Sequence, residues 1–419
     1  MPYHTYIHQA FRWCNANNIN VNTSDSSAYH GGDWKGLQDR LPYLEELGVT
    51  AIWISPVVKN VEEDAGFSSY HGYWTQDFLG VNPHFGDLAK FREMVQVMHD
   101  NDIKVVLDIV ANHVGQLFYY DINRNGQPDS TVFGAGGDSQ DQFWGDPIEI
   151  VSEWDPAFDV RGVQGETSLG ESGPAPLGWV YMPEINRVPP RPAVFHNDDW
   201  YNRRGRVTDW NVDDQVVKGD FPGGLKDLDT TNPEVVEALI SVFAYWIRET
   251  NIDGFRIDTV KHVEHSFWQQ FNPAMREVAA EIGKDNFLQF GEAFDGDDAL
   301  LGSYTFDEEL DSVFYFSQKF RVFDDVFKRN QPTKKIEELF LKMDLDGDDL
   351  AGVKGKQLVN VSEPARLGFA VTVAGGDTVH LPPGLRASDG VHGMGGTADG
   401  MEGETPGKVL RGCFGYSNS

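Results

Sequence analysis

The chain has 419 residues, 40% of them hydrophobic and 24% charged, and its 65 acidic against 34 basic side chains leave a net charge of −31. No window reaches the roughly 18 uncharged apolar residues of a spanning helix, and the opening MPYHTYIHQAFRW lacks the basic-then-apolar layout of a signal peptide. So acidic a chain repels polyanions, which argues against nucleic acid or an anionic membrane as partner and leaves neutral and cationic ligands open. Cys14 and Cys413 cannot make a disulfide framework, so stability must come from a large core or a bound metal.

From about Asp33 to Asn360 helical and strand periods alternate, the signature of β/α units around a parallel sheet. Asp33-Trp34 opens a helix through KGLQDRLPYLEELG that Gly48 ends, and Val49–Ser55 follows as a buried strand. Asp87 caps a helix with Leu88, Phe91, Val95 and Met98 on one face, and Lys104–Val110 is the next strand. Asn232-Pro233 starts a third helix as cap and first position. Its stripe of Val235, Val236, Leu239, Ile240, Phe243, Trp246 and Ile247 precedes a strand at Gly254–Val260. A helix over Ser266–Ile282, a strand over Phe287–Phe294, a short strand at Ser312–Phe316 and a helical stretch to about Met343 continue the series. Leu358-Val359 begins one more strand.

Two segments break this rhythm. Between Val114 and about Pro222 the periodicity stops, and the stretch holds five of the 11 tryptophans, so it reads as an inserted subdomain too long for a loop. The tail from Val361 to Ser419 has 13 glycines and no Ile or Trp, and is expected to be irregular. The organisation expected is α/β: a barrel from residues 1–115 and 223–360, an insertion at 116–222, and a tail at 361–419.

In a parallel β/α barrel, functional side chains sit at the carboxyl ends of strands. One such strand ends in Asp108-Ile-Val-Ala-Asn112-His113, the next in Arg256-Ile-Asp258 with Lys261-His262 beyond, and the one after in Gly291-Glu292. Asp258 and Glu292 thus reach one mouth from neighbouring strands, and two such carboxylates are the minimum equipment for breaking a glycosidic bond. Arg256, two residues before Asp258, points to the same face and can keep that carboxylate ionised. A lone strand-end acid is better read as a cap or an ion-pair partner; the clustering of several is what favours chemistry.

These residues carry a resemblance. DIVANH (Asp108 to His113), GFRIDTVKH (Gly254 to His262), GEAF (Gly291 to Phe294) and LKDLDTT (Leu225 to Thr231) are similar, in order and spacing, to motifs of the α-amylase family of glycoside hydrolases, family thirteen. YHGYWTQDF (Tyr70 to Phe78) and GGDWKGLQDRL (Gly31 to Leu41) also resemble segments of secreted α-amylases. The resemblance implies a (β/α)8 TIM-type barrel with an inserted domain after strand three. It implies a retaining mechanism on internal α-1,4 bonds of starch-type glucans, with Asp258 as nucleophile and Glu292 as acid and then base. The apolar run before Glu292 is expected to keep that acid protonated by partial desolvation.

By the same carry-over Tyr73 is the sugar-stacking platform, His71 and His113 contact hydroxyls, and Lys261 and His262 line the leaving-group side. Calcium is implied at Asn112, Asp229 and the His262 carbonyl, an oxygen set that suits a hard cation. A second calcium is conceivable at Asp121, Asn123, Asn125 and Asp129, whose spacing resembles an EF-hand loop without its closing acid. The partner expected is an α-glucan, the protein a monomer, and its location outside the cell.

The fourth family motif, a strand ending in Asn-His-Asp, is missing after Asn360, and with it a third carboxylate and the closing strands, so the barrel is expected to be incomplete at its C-terminus. A reading-frame shift at both ends would explain that loss and the missing signal peptide together. Two further readings follow: a non-catalytic glucan-binding relic, and a related α-glucan transglycosylase.

Overall fold

The computed structural model describes residues 21–117 and 191–344, apart from positions 23, 26, 65, 66, 206 and 222–224, together with strand segments at 129–133, 146–150, 370–373 and 377–380. Its centre is a parallel sheet ordered β1 (Ala51–Ile54), β2 (Lys104–Ile109), β3 (Gly254–Ile257), β4 (Leu288–Gly291) and β5 (Ser312–Val313). Spatial order equals chain order, so the winding never reverses, which is how a barrel wall is laid down and a doubly wound sheet is not. The further strand expected near Leu358 lies outside the described residues. All four residues of β3 and all but Lys104 of β2 are buried, as strands covered on both faces must be.

The sheet curls. Trp53 on β1 and Phe314, one residue beyond β5, bring their ring centroids to 5.8 Å, so side chains of the two outermost strands meet inside the curve. Register then decides which residues share the interior: Arg256 lies opposite Asp108 on β2 and Phe290 on β4.

Local rules account for the helices. The single helix expected before β1 is two, α1 (Trp34–Asp39) and α2 (Leu41–Glu46), broken at Arg40 because Pro42 has no N–H to donate and its ring excludes a preceding turn. In α3 (Leu88–His99) the Asp87 side chain accepts the Lys90 N–H as N-cap. In α4 (Pro233–Thr250) Asn232 caps the Glu234 N–H, and Asn251 stops the helix in the left-handed region. Leu239, Val242, Phe243, Trp246 and Ile247 of α4 face the core, and the Trp246 indole donates to the Phe78 carbonyl at 2.8 Å. Phe267, Trp268, Phe271 and Met275 of α5 (His265–Glu281) are fully buried against the same core.

Beyond the end of β2, His113–Val114 pairs antiparallel with Lys226–Asp227 and so ties the return of the long insertion to the barrel mouth. The described part of that insertion holds a parallel pair, Asp129–Phe133 with Asp146–Ile150, and, from residue 191, short turns and one six-residue helix, Asp213–Lys218. The tail, expected to be irregular, carries an antiparallel hairpin of Ala370–Val373 with Asp377–His380.

At the opposite end, Asp253 just before β3 accepts His99 at 2.6 Å, Lys284 at 2.7 Å, Lys104 at 3.3 Å and the Val105 N–H at 2.8 Å. Burial alone raises this carboxyl, but the bonds from His99, Lys284 and Val105 outweigh it and hold it well below the usual range. A pKa depressed in the folded state contributes stability above the unfolded value, about 4, and the contribution is lost as pH falls through it. Asp253→Asn should therefore cost about 2 kcal/mol in urea unfolding at neutral pH, with the gap to the parent closing between about pH 4 and 2.

Candidate active site

The site begins with backbone. Past the ends of the strands, Asp258 N–H bonds the Ile109 carbonyl at 2.9 Å, Glu292 N–H bonds Ile257 at 2.8 Å, and Val260 N–H returns to the Glu292 carbonyl at 2.9 Å. Thr259, between the two carboxylate-bearing exits, takes φ 51°, a costly conformation for a β-branched residue, and starts the 3-10 turn Val260–His262. The Trp268 indole holds that turn through the Val260 carbonyl at 3.1 Å. Gly291 has no room for a side chain: a Cβ there would lie 2.4 Å from Val260 Cγ2 and 2.5 Å from Leu310 Cδ2.

Onto this frame the sequence hangs three carboxylates and one guanidinium. Arg256 Nη1 donates to Asp108 at 2.9 and 3.2 Å and to Asp258 at 2.7 Å, while Nη2 donates to Glu292. The Arg256–Asp258 pair expected from alternation is present. Glu292, expected in an apolar setting, has the same arginine as partner and is the most open of the four, its side chain 20% exposed. Asp108 also accepts the Trp53 indole at 3.0 Å and the Tyr73 hydroxyl at 2.8 Å. Burial pushes its carboxyl up to about 6, with Arg256 pulling down and the Asp258 charge pushing up.

The histidines have defined protonation. Burial lowers His71 to about 4, and its Nδ1 accepts the Tyr73 N–H at 3.0 Å, which leaves the proton on Nε2. His113, also lowered by burial, donates Nε2–H to the Tyr73 carbonyl at 3.1 Å and accepts from Asn112 Nδ2 on Nδ1 at 3.2 Å. His262 is lowered to about 4 by burial and donates Nδ1–H to the Val216 carbonyl at 2.8 Å. Lys261 is anchored on Asp295 at 3.2 Å, in the loop that follows Glu292.

Asp229, the acid expected at the calcium site, accepts the Thr231 N–H at 3.1 Å and the Thr231 hydroxyl at 2.5 Å, both on Oδ1, within its own turn. The buried carboxylate here is Asp227, 1% exposed and in register opposite His113. Its Oδ2 accepts Asn202 at 2.7 Å, but its Oδ1 has no hydrogen-bond partner among the described residues. Burial, opposed by Asn202 and reinforced by Asp220, pushes its pKa well up. An orphaned buried carboxylate oxygen beside Asn112 fits a cation. Asp121, Asn123 and Asn125 lie outside the described residues, and Asp129 opens the strand Asp129–Phe133.

Sequence reasoning missed Asp108 as a member of the cluster, and Trp53, Phe314, Asp295 and Asp227 with it. Asp108 had a signal, its place near a strand end, but its meeting with Arg256 depends on interstrand register.

Acids and an arginine delivered from adjacent parallel strands to one mouth place the site where a β/α barrel carries its functional groups. The family model for the alpha amylase catalytic domain matches residues 9–347, and the chain belongs to that family, whose fold is a (β/α)8 barrel. It is 33% identical over 300 residues to an alpha-amylase of Streptomyces lividans, covering 70% of this chain and 31% of that protein. It is 32% identical over 282 residues to a cyclomaltodextrin glucanotransferase of Klebsiella oxytoca, covering 66% of this chain and 34% of that one. A solved alpha-amylase from Anoxybacillus matches with TM-score 0.50 and 29% identity over 72% of this chain and 48% of its own. The chain spans roughly a third of each of the two curated relatives. The family includes relatives named as amylases and a relative named as a glucanotransferase.

Arg256→Met strands three carboxyls without their cation, and such a loss in a buried cluster costs about 3–5 kcal/mol. Without the cation the acids hold protons more tightly folded than unfolded, a contribution present at low pH and lost as pH rises. Thermal melts should show the Arg256→Met deficit larger at pH 8 than at pH 5.

Proposed function

We propose that the protein is a retaining glycoside hydrolase that cuts internal α-1,4-glucosidic bonds of starch-type glucans. The observation that carries this reading is the single guanidinium bridging Asp258 and Glu292. Carboxyls hung from the two terminal nitrogens of one arginine are close, which supports the spacing of about 5 Å that retention needs over the wider gap of inverting enzymes.

In the first step Asp258, hydrogen-bonded by Arg256 Nη1, attacks the anomeric carbon. Glu292 gives its proton to the departing glycosidic oxygen, and a glycosyl ester on Asp258 forms as the C–O bond breaks. Because the acid must carry a proton, the Arg256 Nη2 contact with Glu292 has to open as the glycosidic oxygen arrives. Glu292, now a carboxylate, then takes a proton from water, whose oxygen attacks the anomeric carbon as its bond to Asp258 breaks and frees that carboxylate. A sugar hydroxyl in place of that water gives transfer, the reading that similarity to a glucanotransferase favours. His71 Nε2–H and the Tyr73 ring, stacked on His71 with centroids 5.7 Å apart, supply a donor and an apolar face for the sugar at the cleavage point. His113, Lys261 and His262 complete the proposed substrate contacts. The Arg256–Glu292 bond also supports the competing reading of a glucan-binding relic, since an acid left in that bond cannot donate.

Calcium belongs to this proposal through Asn112, Asp227 and the His262 carbonyl, with a further oxygen expected from the insertion. Bound there, the ion would neutralise Asp227 and fasten the insertion to the barrel. Among the described residues no helix is long and apolar enough to cross a membrane. Action outside the cell rests on the likeness to secreted amylases.

Two experiments test these readings. Glu292→Gln should lower turnover of maltoheptaose about 10²–10⁴-fold but spare glycosylation by α-maltotriosyl fluoride, whose leaving group needs little protonation. Asp258→Asn should abolish both, and early product should be the α-anomer by NMR; β-product, or maltoheptaose binding without cleavage, counts against the hydrolase. For the ion, chelation should lower the melting temperature of the parent. Asp227→Asn should remove that dependence and equal or exceed the parent in chelator, whereas Asp229→Asn should leave it intact.

A further inference from the structure

The hydrogen bonds of Arg256 all lie at one end of its side chain. Nη1 and Nη2 serve Asp108, Asp258, Tyr73 and Glu292, while the buried Nε has no partner among the described residues. None of these is the paired Nη1/Nη2 fork on a single carboxylate; the guanidinium is shared among three acids, and a tilt of its plane would feed one carboxylate at the expense of another. What limits the tilt is aromatic. The Arg256 Cζ lies 5.1 Å from the Trp53 ring centroid, 5.8 Å from Phe314 and 5.9 Å from Tyr73. These rings are themselves braced: Phe290 meets Trp53 edge-on at 6.3 Å and Phe314 edge-on at 5.4 Å. Phe314 is further fixed by its N–H on the Gly291 carbonyl at 3.0 Å, one residue before Glu292.

We propose that Phe314, with Trp53, is a positioning residue for the reaction: the two rings form an aromatic wall on one side of Arg256 that limits its tilt and so sets its division between the nucleophile and the acid. The inference rests on the glycosidase reading. The rings come from opposite margins of the described sheet and stand 5.8 Å apart, so the wall exists only because the sheet curls. Phe314 acts through the guanidinium by cation–π attraction, which strengthens in a desolvated setting.

The test uses the full chain. Phe314→Leu keeps apolar bulk and removes the π face; kcat on maltoheptaose should fall about tenfold with KM within about twofold. Phe314→Tyr should recover most of the loss, and Trp53→Phe, which keeps a ring but deletes the indole N–H, should lose less than Trp53→Leu. A second readout does not need turnover: in arginine-selective ¹⁵N NMR, exchange of the two Arg256 Nη groups should be slow in the parent and about tenfold faster in Phe314→Leu. Unchanged kcat and unchanged exchange in Phe314→Leu overturn the positioning role while leaving the hydrolase standing. Equal losses in Phe314→Leu and Phe314→Tyr, tracking melting temperature, also overturn it in favour of plain packing. If the parent shows no Glu292-dependent cleavage, the hydrolase reading fails, and the exchange rate alone then decides whether the aromatic wall holds the arginine.

Discussion

One positive charge organises this molecule. Three carboxyl groups reach the same part of the barrel interior, and Arg256 is the cation that bonds all of Asp108, Asp258 and Glu292. Much of the surrounding structure serves that charge: Trp53 and Tyr73 share Asp108 with it, and the aromatic rings face it. The arginine is itself 2% exposed, so water contributes almost nothing to its solvation and protein groups must contribute all of it. Such a centre is stable only as a whole, because removal of any member leaves the others with a desolvation cost that nothing offsets.

The division between what the sequence revealed and what it hid follows from range. Helix caps at Asp87 and Asn232, the stripe of α4 and the buried runs of β2 and β3 are local patterns, and each is where its pattern puts it. Strand-end placement of Asp258 and Glu292 is nearly as local, because a strand end in a parallel barrel has one outlet. Asp108 needed register as well. The meeting of Trp53 with Phe314 needed the curvature of the whole sheet, which no window of residues contains.

Asp227 and Asp229 illustrate a subtler limit. They stand two apart in LKDLDTT, and composition cannot tell which carboxylate goes inward. The structure separates them by what each finds nearby: Asp229 has Thr231 two residues on and closes a local turn, while Asp227 lies in a two-residue strand against His113 and is drawn into the interior. Helix α1–α2 failed for the opposite reason, a strong apolar pattern overriding a single Pro42 whose missing N–H decides the matter.

The hooks between successive strand exits carry a consequence for how such a site can change. Asp258 hangs on Ile109, Glu292 on Ile257, Val260 on Glu292 and Phe314 on Gly291, and every one of these links is main chain to main chain. The side chains of Asp258, Glu292 and Phe314 therefore do not enter these links. Lineages built on such a frame can exchange a platform, an acid or a contact residue one at a time, because the peptide scaffold that aims each replacement is indifferent to its chemistry.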